Sequence, residues 1–170
     1  MGKSKKKIKS KKACKKMIKV LGEGPKKARI MLIGEAPGKQ EIKQGKPFVG
    51  PAGKWLDKIL RKNKIDRKKL YITNVVKIKT PGNRKPTEKE IKKWLPLLQR
   101  EIKKIKPKLI VLLGQTATSA LLNQPINSLR GKFIKQNKLA YMPTYHPSAA
   151  RFTNVKNKII KDFAKIKKYF

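Results

Sequence analysis

The chain has 170 residues, a length that predicts one domain built around a single hydrophobic core. Lys and Arg number 47 against 9 Asp and Glu, which gives a net charge of +38, so a polyanion is the first partner to expect. The alternative is a solvated lysine surface enlarged by an A+T-rich genome, since only seven of these basic residues are Arg.

Apolar content and cysteine count exclude several classes of protein. No apolar run approaches the ~20 residues that span a bilayer, and no apolar segment follows the basic N-terminus, so neither a membrane partner nor a signal peptide is expected. The single cysteine, Cys14, excludes an internal disulfide and any metal site built from cysteines of this chain. We therefore expect a reducing, cytoplasmic location and no metal; a nucleoid-associated or a viral protein is the alternative.

The N-terminal third predicts an arm followed by the start of a folded domain. Residues 1–19 contain ten lysines and are predicted to form a polybasic arm, with one domain over residues 20–170. An apolar run at 30–33 predicts a buried strand that ends at Gly34. The Gly- and Pro-rich stretch 34–53 follows directly, and in open α/β sheets ligands bind in such loops.

The rest of the chain alternates predicted strands and helices. Predicted strands lie at 70–76, 108–114 and 139–143. One predicted helix ends at about residue 63. A second begins at a Thr87–Glu90 capping box and ends at about residue 105, and two more cover 116–122 and 155–169. Pro96 is expected to bend or interrupt the long helix. This alternation predicts a three-layer α/β/α fold with a central four-stranded parallel sheet.

Glycines that lie next to lysines are typical of phosphate-binding loops, but the two such segments of this chain do not match the pattern of those loops. The segment from Gly34 to Lys39 has one residue too few between its glycines, and Gln40 stands where Ser or Thr is needed. The segment 50–54 fails in a similar way. The sequence therefore gives no support for a nucleoside triphosphate site of this kind.

Three loop segments follow predicted parallel strands and should meet in one crevice. They are 34–50, 73–74 and 146–151. Their sequences, GEAPGKQEIKQGKPFVG, TN and HPSAAR, bring together two carboxylates, an aromatic ring, an amide and the only histidine of the chain.

These segments, with GNRKP, KLIVLLGQTA and LRGKF, resemble the uracil-DNA glycosylase superfamily, specifically its family 4. The resemblance covers about residues 29–151. It implies monofunctional hydrolysis of the N-glycosidic bond of uracil in single- or double-stranded DNA, by base flipping, as the first step of base-excision repair. Such an enzyme is expected to act as a monomer and to need no cofactor. The alternative is a non-catalytic DNA- or RNA-binding protein that retains the glycosylase fold.

The resemblance assigns two residues to the flipped base. Phe48 matches the aromatic that stacks on uracil; the alternative is a core phenylalanine. Asn74 matches the amide that pairs with N3–H and O4, where cytosine presents the reverse pattern. The alternative for Asn74 is a side chain that caps the turn after its strand.

Four more residues receive roles by the same resemblance. Glu41 lies against C5 and excludes the methyl group of thymine, the alternative being an exposed carboxylate at a helix start. Glu35 positions the attacking water, and backbone N–H groups near Ala36 reach a uracil oxygen. His146 hydrogen bonds with O2, where negative charge grows as the bond breaks.

The resemblance also implies contacts with the DNA backbone. Arg84, Lys85, Pro147 and Ser148 match phosphate-proximal positions, which carry no sequence information. Arg151 matches a residue that lies near the backbone or fills the gap left by the flipped base.

One departure from family 4 concerns its [4Fe–4S] cluster, which four cysteines usually hold. In this chain Cys14 remains, but Met17, Ile78 and Trp94 occupy the other three positions. One thiolate cannot hold such a cluster, so we expect a relative without one, in which apolar side chains fill the vacated space.

Overall fold

A computed structural model describes residues 18–170, so most of the predicted 1–19 arm, including Cys14 and Met17, lies outside the described residues. The described chain alternates strands and helices. The strands are β1 (Ile30–Gly34), β2 (Leu70–Asn74), β3 (Leu109–Leu113), β4 (Ile134–Gln136) and β5 (Leu139–Thr144). The helices are α1 (Lys39–Gln44), α2 (Pro51–Lys62), α3 (Glu88–Ile105), α4 (Gln115–Leu122), α5 (Ile126–Leu129) and α6 (Thr153–Lys165).

All five strands form one sheet in the order β2-β1-β3-β5-β4. The first four are parallel, whereas β4 pairs antiparallel with β5. The predicted α/β class is confirmed, and β4 adds a fifth strand to the four predicted. Its three residues are half-buried or exposed, so β4 lacks the apolar run that marked the others.

Helices cover both faces of the sheet because the central strands alternate two apolar sets. Ile30 and Leu32 of β1 pack toward α2 and α6, while Met31 and Ile33 pack toward α3 and α4. β3 alternates in the same way. Burial on both faces explains why these strands read as continuous apolar runs.

The boundaries of the predicted helices agree with the structure except around Pro96 and at the end of the chain, whereas the short helices α1, within the predicted 34–53 loop, and α5 were not predicted. The Thr87–Glu90 capping box opens α3, which continues through Pro96 without a break. Pro96 and Lys92, the residue four positions before it, are both exposed, so water can satisfy the carbonyl that loses its partner. The last helix ends at Lys165 and a 3-10 turn, Ile166–Tyr169, follows it.

The strand order reverses between β1 and β3, since β2 lies on one side of β1 and β3 on the other. In open α/β sheets such a switch point leaves a crevice at the carboxyl ends of the strands. The three predicted loop segments all leave the sheet at this edge. None of the helices in residues 18–170 is long and apolar enough to cross a membrane.

Candidate active site

A cavity of about 730 Å³ lies at the carboxyl ends of the parallel strands. It brings together all six residues that the sequence assigned to the base or to catalysis, with two of those assigned to DNA. These are Glu35, Ala36, Glu41, Phe48, Asn74 and His146, with Lys85 and Ser148.

Gly34, the last residue of β1, allows Phe48 and Asn74 to meet. A Cβ atom at Gly34 would lie 2.5 Å from Asn74 Oδ1 and 2.5 Å from Phe48 Cζ. Such distances are far inside van der Waals contact, so any side chain at Gly34 would displace one of the two. The backbone approach at this glycine therefore defines the relative placement of the ring and the amide.

Phe48 lies between the cavity and the core. The residue is 5% exposed and belongs to the buried cluster beneath α2 and α6, as the core alternative predicted. It also lines the cavity. The ring lies 5.8 Å from the imidazole of His146 with a 37° tilt. Its backbone has φ of 54°, a left-handed conformation that costs a non-glycine residue energy unless its surroundings hold it.

The Asn74 side chain lines the cavity and is 2% exposed. Within residues 18–170 no protein group hydrogen bonds with its carboxamide, which leaves donor and acceptor available. Its backbone carbonyl accepts a 2.7 Å hydrogen bond from Lys77 Nζ. The buried Lys77 also contacts Thr73 and forms a 2.6 Å ion pair with Glu101. Burial lowers the pKa of Lys77, and the carboxylate of Glu101 opposes that shift.

The hydrogen bonds of His146 define which ring nitrogen carries the proton. The backbone N–H of Ser148 donates to Nδ1 at 3.3 Å, and its hydroxyl lies 2.8 Å from the same atom. Nδ1 is thus the acceptor, and Nε2 carries the hydrogen in the neutral ring. Burial lowers the pKa of His146 to about 4, against a smaller opposite effect of the Glu41 carboxylate. The imidazole is therefore a neutral N–H donor at physiological pH.

This low pKa predicts a pH-dependent stability. Between pH 6.5 and about 4 the unfolded chain binds a proton at His146 that the folded chain excludes. The free energy of unfolding should therefore rise with pH across this window and lose its dependence on His146 above it. Denaturant unfolding at several pH values should show this slope in the wild type and a shallower one in His146→Asn. Equal slopes would contradict the low pKa.

Glu41 is buried, and its carboxylate binds the loop that carries Phe48. Its oxygens accept backbone hydrogen bonds from Gly38 at 3.1 Å, Val49 at 3.0 Å and Gly50 at 2.7 Å. The exposed helix-start alternative is therefore wrong, since Glu41 is 7% exposed. Its position on the cavity wall is compatible with the predicted exclusion of thymine.

Replacing Glu41 with glutamine should destabilise the fold. A glutamine amide group would face a backbone N–H in place of an acceptor oxygen, and we expect a loss of about 1–3 kcal/mol in the free energy of unfolding. Glu88→Gln is the matched control, because Glu88 is exposed in the first turn of α3. Equal unfolding midpoints in denaturant for the two variants would contradict the structural role of Glu41.

Glu35 is held by a residue that the sequence analysis did not assign. The hydroxyl of Thr116, in the first turn of α4, donates to Glu35 Oε2. Thr116 follows the carboxyl end of β3 within the matched KLIVLLGQTA segment. Its position at the edge of the crevice is the one feature of the sequence from which a role for Thr116 in the site could have been predicted.

The predicted DNA contacts divide into two groups. Lys85 and Ser148 line the cavity. Arg84 instead forms a two-pronged ion pair with Glu90, at 2.7 and 2.9 Å, on the capping box of α3. Arg84 and the capping box lower the pKa of Glu90 to about 2. The structure places Pro147 in the interior and Arg151 4.8 Å from the exposed ring of Phe152, both outside the cavity lining.

The residues at the usual cluster positions do not fit an iron–sulfur group. Ile78 and Trp94 both pack in the apolar cluster between the sheet and α3, and neither side chain offers a thiolate. Lys19 lies 5.7 Å from the centre of the Trp94 ring. Cys14, the only cysteine in the sequence, and Met17 lie outside the described residues.

Comparison with known proteins identifies the family of the chain. A family model described as the Uracil DNA glycosylase superfamily matches residues 21–169, which is nearly all of the described chain. The chain therefore belongs to the uracil-DNA glycosylase superfamily.

Within that superfamily the chain is similar to type-4 enzymes. It is 43% identical over 160 residues to the type-4 uracil-DNA glycosylase of Saccharolobus solfataricus, covering 87% of this chain and 74% of the relative. The same enzyme of Sulfurisphaera tokodaii is 42% identical, over 87% of this chain and 73% of the relative. That of Archaeoglobus fulgidus is 37% identical, over 86% and 79%.

Proposed function

We propose that the protein is a type-4-like uracil-DNA glycosylase that hydrolyses the N-glycosidic bond of uracil in DNA and thereby initiates base-excision repair. The observation that carries the proposal is one cavity in which Phe48, Asn74 and His146 converge. Three separate segments of the chain supply them, two loops and the carboxyl end of β2, and together they offer a ring, an amide and an N–H donor. We further propose that the protein acts as a monomer in the cytoplasm and accepts single- or double-stranded DNA.

Recognition of the base follows from the side-chain amide of Asn74, which has no protein hydrogen-bond partner within residues 18–170. Its oxygen accepts from N3–H of an extruded uracil, and its NH₂ group donates to O4. Cytosine offers the opposite donor and acceptor at these two atoms and leaves the buried amide unsatisfied. The ring of Phe48 stacks on the base, and the wall formed by Glu41 leaves no room for a methyl group at C5.

Bond cleavage places negative charge on the departing base and positive charge on the sugar. The neutral His146 donates from Nε2 to O2, an interaction that strengthens as the charge develops. Glu35, oriented by Thr116, holds the attacking water and stabilises the sugar cation. Water attacks C1′, the C1′–N1 bond breaks, and the electron pair leaves with uracil, which acquires the proton lost by the water.

A labelled oligonucleotide with one uracil tests the proposal. After incubation with the protein, alkali should cleave the strand at the uracil, because an abasic site is alkali-labile, and excision should weaken steeply with salt. The same strand with thymine opposite guanine should stay intact. If the uracil strand also stays intact while the protein binds it, the non-catalytic alternative is correct.

We also propose that the enzyme works without an iron–sulfur cluster. The presence of one cysteine in 170 residues and the apolar packing of Ile78 and Trp94 support this. Protein purified without oxygen should contain no stoichiometric iron or acid-labile sulfide and should show no absorbance band near ~400 nm. Its excision activity should survive treatment with an iron chelator. Bound iron, or loss of activity on chelation, would overturn the proposal.

A further inference from the structure

The backbone of Phe48 is fixed by a side chain from another part of the chain. Arg67 lies in a 3-10 turn, Arg67–Lys69, immediately before β2. Its Nη2 atom donates to the carbonyl of Pro47 at 3.0 Å and to that of Phe48 at 3.1 Å. Its Nη1 atom donates to Asp57 of α2 at 2.8 Å. One guanidinium thus joins the Phe48 loop to the helix that follows it.

The loop needs such a support because its conformation is unfavourable. Phe48 has a φ of 54°, and its carbonyl lies so close to α2 that a Cβ at Gly53 would be 2.0 Å from it. The left-handed backbone persists only where neighbouring groups hold it. Arg67 and Glu41 bind the loop from two sides, through its carbonyls and its amides respectively.

We propose that Arg67 is a positioning residue for base stacking: its fork holds the strained Phe48 backbone so that the ring is in place before uracil enters the cavity. This inference rests on the proposed function. Asp57 orients the guanidinium through Nη1 while Nη2 holds the two carbonyls, and a lysine at position 67 has one nitrogen and cannot reproduce this planar fork of two.

The test compares Arg67→Met with Arg61→Met in single-turnover excision of uracil at saturating enzyme. Arg61 is exposed at the end of α2, and its guanidinium makes no hydrogen bond or ion pair within residues 18–170. Both variants lose one positive charge, so their affinities for undamaged duplex should match. Excision by Arg67→Met should be slower by about 10- to 100-fold, since small displacements of a positioned group have effects of this size. Arg61→Met should stay within about twofold of the wild type.

Repeating the comparison in protein that carries Phe48→Leu distinguishes a positioning role of Arg67 from a merely structural one. If Arg67 acts through the ring, Arg67→Met should slow excision less than about twofold once the ring is absent. An equal loss in both backgrounds would overturn the inference. If Arg67→Met does not fold, Arg67→Lys, which keeps the charge, replaces it in the same comparison. The decrease in excision rate that Arg67→Lys causes should also disappear in the Phe48→Leu protein.

The outcomes distinguish this inference from the function on which it rests. A wild-type protein that excises no uracil refutes the proposed function. An active wild type with Arg67→Met as fast as Arg61→Met refutes only the positioning role of Arg67.

Discussion

Replacing Asn74 with aspartate should lower uracil excision by about 10³-fold or more. The carboxylate presents an acceptor where uracil O4 requires a donor, so one hydrogen bond is lost and two oxygens face each other in a buried site. A site built to hydrogen bond with its substrate discriminates by factors of this order when the partner is wrong. Single-turnover excision from a uracil oligonucleotide measures the effect directly.

The control for the Asn74 prediction is Asn157→Asp. Asn157 is exposed on α6, and its substitution adds the same negative charge to the chain. Its excision rate should stay close to that of the wild type, which excludes a general electrostatic effect on DNA binding. If Asn74→Asp excises uracil as fast as Asn157→Asp, Asn74 does not read the base.

Replacing His146 with alanine should reduce the excision rate by about 10²- to 10³-fold, the usual effect of removing one donor to a developing anion. Because burial lowers the pKa of the imidazole to about 4, His146 is already neutral at pH 6.5, and the wild-type rate should not fall as the pH rises through that value. A pH–rate profile at saturating enzyme, with the variant beside the wild type, gives both results.

A better leaving group provides the internal control for His146. The fluorine of 5-fluorouracil stabilises the departing anion, so this base depends less on a protein donor. The loss caused by His146→Ala should therefore be smaller for 5-fluorouracil than for uracil. Equal losses on the two bases would indicate that His146 maintains the loop and does not stabilise charge on O2.

The sheet and the location of the site could be predicted because their signals are local. The buried strands β1 and β3 are continuous apolar runs, and their order along the chain implies parallel pairing. Parallel pairing then places the ends of β1, β2 and β5 at one edge. Phe48, Asn74 and His146 converge for this reason, although they are far apart in the sequence.

The partners of the charged side chains could not be predicted, because they depend on contacts between distant segments. Arg67 and Phe48 are 19 residues apart, and Glu35 and Thr116 are 81 apart. With 47 basic residues in the chain, composition does not distinguish the arginine that holds a loop from those that face solvent. Arg84 illustrates the same limit, since its pairing with Glu90 depends on how the loop meets α3.

The sole histidine of the chain allows the most direct measurement, ¹⁵N NMR of the labelled imidazole with and without substrate DNA. The probe is an oligonucleotide with one 2′-fluoroarabino-uracil nucleotide, which binds but resists hydrolysis because the fluorine disfavours the sugar cation. Free protein should show a neutral ring protonated at Nε2, and the uracil analogue should shift the Nε2 resonance whereas the matching thymine strand does not. An imidazole signal unmoved by DNA that is demonstrably bound would contradict the convergence of His146, Asn74 and Phe48 on one extruded uracil.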